Sequence, residues 1–128
     1  MRVLIVDDDA LVAQSLSTIL SVEADVDVVG LGGSGPEAIE RYRELAPDIL
    51  LMDIRMPEMD GYEACRQIRG AGRRDSLTIP IVAMTANAFS EDIELAGKSG
   101  MNAHLAKPVD AEQMISLLKE VLAGEKNG

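Results

Sequence analysis

A chain of 128 residues has the length of one ordinary domain, enough for a core without staples, and its single cysteine, Cys65, excludes an internal disulfide or a cysteine metal cluster. The 47% hydrophobic content includes two Tyr, one Phe and no Trp, so the interior must be aliphatic and little is left for stacking on nucleic-acid bases. With 22 acidic against 12 basic residues, the formal charge of −10 repels phosphate backbones and anionic lipids, and the first apolar run is too short for a signal peptide or a membrane span, so a soluble cytoplasmic protein is expected.

The run at residues 3–6 is the first of five short segments rich in Val and Ile, the others being 26–29, 49–52, 81–84 and 103–106. Short apolar runs of this kind are strands, and longer stretches at helical spacing separate them. Helix one is expected over about 11–20. Helix two starts at Pro36, a favoured first-turn residue, and buries Ala38, Ile39, Tyr42 and Leu45, leaving Glu37, Glu40, Arg41 and Glu44 to water. Helices three and four fall at about 62–68 and 91–99. The last helix has Asp110 as N-cap, Gln113 three residues later, and an apolar stripe of Met114, Leu117, Leu118, Val121 and Leu122; it is expected to end before Gly124. One domain at 1–123 and a polar tail at 124–128 follow.

Strict alternation of strand and helix implies parallel strands joined by right-handed crossovers, with all five carboxyl ends on one edge. That edge carries Asp7, Asp8 and Asp9 after strand one, Asp53 after strand three, Thr85 after strand four and Lys107 after strand five. Carboxylates held within roughly 4 Å repel by about 4 kcal/mol per pair at an effective dielectric near 20, so the cluster wants a cation. Hard oxygen ligands suit magnesium better than zinc. A cation between Asp8 and Asp53 leaves one Asp53 oxygen free to attack phosphorus, while Lys107 and Thr85 can attend the other phosphoryl oxygens. The chemistry expected is acceptance of a phosphoryl group on Asp53.

Four motifs in order resemble the receiver domain of two-component response regulators: VDD at 6–8, LMDIRMPEMDG at 51–61, AMTA at 83–86 and AKP at 106–108. The resemblance spans essentially the whole chain. It implies a flavodoxin-like fold with strand order 2-1-3-4-5 and Asp53 as phosphoacceptor. By the same resemblance, Asp7, Asp8, Asp53 and the Arg55 carbonyl surround magnesium, while Thr85 and Lys107 contact the phosphoryl group. Such a domain catalyses its own phosphorylation and dephosphorylation rather than turning over a substrate. Its donors are phosphohistidines on sensor histidine kinases or phosphotransfer proteins, with small acyl phosphates as substitutes. The wording IVAMTANAF at 81–89 looks like receivers of hybrid kinases and phosphorelays. The output face implied is helix four, strand five and helix five, read by an effector protein or an output domain outside this chain.

One motif points elsewhere. GLGGSG at 30–35 fits the GxGxxG dinucleotide fingerprint, and Asp53 ends the next apolar run, where such sites keep an acid for a ribose hydroxyl. GPEAI at 35–39 matches the receiver turn after strand two better, so the glycines are expected to supply turn flexibility, with Gly35 adopting angles suited to the residue before Pro36. Asp7-x-Asp9 also resembles the nucleophile motif of haloacid-dehalogenase-type phosphatases, which would make Asp7 the nucleophile, but Leu11 departs from that pattern. A vestigial site in a pure interaction module is the third alternative. Finally, His104 stands where receivers commonly place Tyr or Phe, whose ring turns inward as the site threonine moves. An imidazole there is either a bystander or, with Thr85, part of a proton-sensitive switch.

Overall fold

Strands covered on both faces read as unbroken apolar runs rather than alternating ones, and the first, third and fourth strands here are of that kind. The computed structural model describes residues 1–86 and 90–127; residues 87–89, which end the IVAMTANAF motif, lie outside the described residues, as does Gly128. Along the chain come β1 (Arg2–Val6), α1 (Ala10–Ser21), β2 (Asp27–Gly32), α2 (Gly35–Leu45) and β3 (Ile49–Asp53). There follow α3 (Gly61–Arg69), β4 (Ile81–Thr85), α4 (Ser90–Ser99), β5 (Ala103–Ala106) and α5 (Ala111–Asn127). The strands form one parallel sheet in the order β2-β1-β3-β4-β5, the order that the family resemblance implies.

Alternate residues of each strand feed opposite layers. Leu4, Leu50, Met52 and Ala83 pack with Ala38, Tyr42, Ala64 and Ile68, so α2 and α3, with Ala96 of α4, cover one face. Val3, Ile5, Leu51 and Met84 pack with Leu16, Leu20, Met114 and Leu118, so α1 and α5 cover the other. The strand order reverses between β1 and β3, and in such sheets the crevice beyond the carboxyl ends at that point is where ligands sit. Val6 pairs with Met52 there, which sets Asp7 beside Asp53.

Caps hold the helix starts. Asp9 accepts from the N–H groups of Leu11 and Val12, Ser34 from Glu37, Asp60 from Glu63 and Asp110 from Gln113, each satisfying backbone donors that the first turn leaves open. Glu37 reaches back to the Gly33 N–H at 2.7 Å, close to a capping box, so it is half-buried rather than part of a wholly solvated face.

Three expectations need correction. Helix α2 begins at Gly35, because Ser34 takes the N-cap position and Pro36 falls at the second residue. Strand β2 runs on to Gly32, so Gly30 and Gly32 are paired with Leu4 and Val6 instead of forming a phosphate-cradling turn. A Cβ on Gly30 would lie 2.5 Å from Leu45 Cδ1; this glycine makes room for a packed leucine. Helix α5 continues through Gly124 to Asn127, since one interior glycine costs only about 1 kcal/mol relative to alanine and the chain keeps its helical bonding past it. Among the described residues no helix is long and apolar enough to cross a membrane.

Candidate functional site

Three strand ends deliver the charged groups. β1 leads into Asp7, which is 1% exposed, and its N–H donates to the Gly32 carbonyl at 3.0 Å, fixing it against β2. β3 ends in Asp53, 5% exposed and in register with Met84 of β4. β5 leads into Lys107, whose backbone N–H donates to the Thr85 carbonyl at 2.8 Å and so ties the lysine to the end of β4. Thr85 itself is buried.

The side chains converge. Lys107 Nζ donates to Asp7 Oδ2 at 2.7 Å and stands 3.3 Å from Asp53 Oδ1. The other Asp7 oxygen accepts from the Asp9 N–H at 2.9 Å. One oxygen from each of Asp7, Asp8 and Asp53 lies within 4.8 Å of the others, with Asp8 on the solvent side. Burial, then the Asp7 charge, pushes the Asp53 carboxyl from 3.8 up to about 7; a hydrogen bond with Asp8 adds to this, and Lys107 offsets only part of it. Burial disfavours the Lys107 ammonium, but the hydrogen bond it donates to Asp7 and the charges of Asp53 and Asp7 together raise its pKa. Three carboxylates against one ammonium leave excess negative charge in hard oxygens, which fits a divalent cation of the magnesium type.

Not every residue expected at the site joins this cluster. Asp9 caps α1. Arg55, whose expected part is its backbone carbonyl and not its side chain, is exposed on the connection after β3, where with Asp8, Met56, Asp60, Tyr62 and Asp92 it lines a cleft of about 480 Å³. His104 is exposed on β5, in register with Ala83. A larger cleft of about 670 Å³ lies at the opposite edge of the sheet, beside Met1, Pro47 and Leu122. Its three aspartates are engaged apart from one another, Asp25 by Lys119, Asp48 by the Arg2 N–H and Asp75 by the Tyr42 hydroxyl, whereas those at the carboxyl edge converge. The sequence reading gave no part to Gly61, whose N–H donates to the Ile54 carbonyl at 2.8 Å and closes the connection after Asp53 into a loop.

Residues 3–119 match the response regulator receiver domain family. The chain belongs to that family. It is 35% identical over 125 residues to the response regulator protein VraR of Staphylococcus saprophyticus, covering 98% of this chain and 58% of that relative. The receiver described here thus spans a little over half the length of the curated relatives it matches. Among solved structures, a putative response regulator from Chloroflexus aurantiacus aligns with TM-score 0.85 and 33% identity over 95% of this chain and 97% of that one. A two-component response regulator of the LuxR family from Aurantimonas gives 0.88 and 28% over 96% and 85%. The chemotaxis protein CheY4 of Vibrio cholerae gives 0.83 and 26% over 94% and 97%.

A receiver domain in two-component signalling leaves no support for the phosphatase alternative. Asp7 is enclosed, with both oxygens engaged by Lys107 and the Asp9 N–H, and Asp9 is spent on the helix cap. The dinucleotide fingerprint is set aside because two of its glycines are strand residues.

Proposed function

We propose that this receiver accepts a phosphoryl group on Asp53 from a phosphohistidine, with magnesium held by Asp7, Asp8, Asp53 and the Arg55 carbonyl. The observation that carries the reading is the buried Asp53 carboxylate, 3.3 Å from the Lys107 ammonium and edged by two further carboxylates. When bound, magnesium supplies charge neutralisation for the phosphoryl oxygens. Asp53 provides the nucleophilic oxygen: its bond to phosphorus forms as the phosphorus–nitrogen bond of the donor breaks, the bonding pair staying on an imidazole whose other ring nitrogen already carries a proton, so that it leaves neutral. Lys107 favours the anionic form of Asp53, which burial and Asp7 oppose, and balances charge on the phosphoryl group. Thr85, at the adjoining strand end, meets a phosphoryl oxygen and passes its position to the face made by α4, β5 and α5, with His104 on β5 as the second switch residue. Exposed Ile93 and Leu95 give α4 apolar contacts for an effector or an output domain.

The donor is a histidine kinase or a phosphotransfer protein of a phosphorelay, acting in the cytoplasm where ATP supplies the phosphohistidine. Beside Lys107 runs an apolar groove of about 520 Å³, between α1 and the connection from β5 to α5, lined by Leu11, Val12, Leu16, Ile19, Pro108 and Val109. Leu11 is 75% exposed. Because Lys107 lines both groove and site, we assign this groove to the helix that presents the donor histidine. The test is intact-mass analysis after incubation with a small acyl phosphate. One added phosphoryl group with magnesium and none in EDTA supports the proposal; addition that ignores magnesium overturns it.

A further inference from the structure

The connection between β3 and α3, residues 54–60, is pressed between two glycines. A Cβ built on Gly61 would stand 2.4 Å from the Asp53 carbonyl oxygen, 2.9 Å from Ile54 Cα and 3.2 Å from the Asp53 carbonyl carbon. All three are backbone atoms. A Cβ on Gly35, in the first turn of α2, would stand 2.7 Å from Met59 Cγ and 2.8 Å from both Met59 Cβ and the Met59 carbonyl oxygen. Neither glycine has a left-handed backbone; among the described glycines only Gly72 and Gly100 do. Space, not conformation, therefore demands glycine at these two positions, which corrects the turn-flexibility role expected for Gly35.

Backbone hydrogen bonds tie both ends of the segment. On one side Ile54 N–H donates to the Met84 carbonyl at 3.1 Å, which pins the end of β3 to β4. On the other, the Gly61 N–H holds the Ile54 carbonyl at 2.8 Å, and Met59 N–H closes on Pro57 at 2.7 Å. A methyl group at 61 must displace either the Asp53 peptide or the start of α3.

We infer that Gly35 and Gly61 are positioning residues, which set the Asp53 carboxylate and the Arg55 carbonyl by letting α2 and α3 close on the segment between them. The inference rests on the reading of Asp53, Asp7 and Asp8 as a cation-dependent acceptor site. It also gives the last glycine of the GLGGSG run its use: Gly35 seats Met59. The two positions differ in severity, since the atoms facing Gly61 are all backbone, whereas two of the three facing Gly35 belong to a side chain.

The test is magnesium titration of the full chain, followed by NMR, for the native protein, Gly35→Ala and Gly61→Ala, with far-UV circular dichroism as the check on folding. Leu118→Ala, a core substitution on the opposite face of the sheet, is the control for mere loss of stability. Displacing groups that orient ligands typically lowers metal affinity by about tenfold or more, and that is the loss expected for Gly61→Ala, with a smaller loss for Gly35→Ala and none for Leu118→Ala. If Gly61→Ala does not fold, Gly35→Ala decides alone. Folded variants that bind magnesium as tightly as the native protein, or an equal loss in Leu118→Ala, overturn the inference. Absence of magnesium binding in the native protein would instead overturn the acceptor-site reading on which it stands.

Discussion

Asp53→Asn is expected to make the protein more stable, not less, when magnesium is chelated. The Asp53 carboxyl is raised from 3.8 to about 7, chiefly by burial and by the Asp7 charge. The folded state thus holds this proton more tightly than the unfolded chain does, and ionising it costs folding free energy. The cost is absent below pH 3.8, grows as pH rises towards 7 and is constant above, where 1.36 kcal/mol per pKa unit makes it about 4 kcal/mol. The isosteric amide removes that charge. Urea unfolding in EDTA, followed by circular dichroism, should give Asp53→Asn an advantage of about 4 kcal/mol at pH 8, falling to about 2 kcal/mol at pH 5. Added magnesium should stabilise the native protein more than the variant and narrow the gap. A variant no more stable than the native protein at pH 8, or an advantage that does not shrink towards pH 5, would refute the electrostatic account of the site.

Asp8→Ala should weaken magnesium binding in a titration and slow labelling by acyl phosphate, whereas Asp9→Ala should leave both unchanged and cost about 1 kcal/mol of unfolding free energy through the lost cap of α1. Leu11→Ala should slow transfer from a phosphohistidine protein while leaving labelling by a small acyl phosphate at its native rate, because only the protein donor uses the groove; equal slowing of both would count against it. Ala46 ends α2 at φ 47° and ψ 60°, a left-handed conformation unfavourable for a residue with a Cβ. Ala46→Gly should therefore raise stability by about 0.5–1 kcal/mol in the same urea assay, the gain being trimmed by the greater freedom of glycine in the unfolded chain.

The succession of strands and helices along the chain and the convergence of Asp7, Asp8, Asp53 and Lys107 were legible because both depend on periodicity and on where apolar runs stop, whereas the order across the sheet came only with the family resemblance. What escaped depends on distances between segments far apart in sequence. Gly30 reads as a turn residue until Leu45 is seen occupying the space its side chain would need, and Gly61 has no evident part until the Asp53 carbonyl is found against it. The extension of α5 past Gly124 escaped because glycine is a stop signal only by propensity, a term of about 1 kcal/mol that continued helical bonding outweighs. The division of labour among neighbouring aspartates was likewise hidden. Three consecutive acids look alike in sequence, yet one is buried against Lys107, one faces solvent at the cluster's rim and one caps a helix.

The central claim is that Asp53 is the residue that takes the phosphoryl group. Borohydride reduces an aspartyl phosphate to homoserine, so treating the protein with a small acyl phosphate and magnesium, then borohydride, marks the acceptor permanently. Peptide sequencing by mass spectrometry should find homoserine at position 53 and at no other aspartate. Homoserine at position 7 or 8, or full phosphorylation retained in Asp53→Asn, would contradict the account.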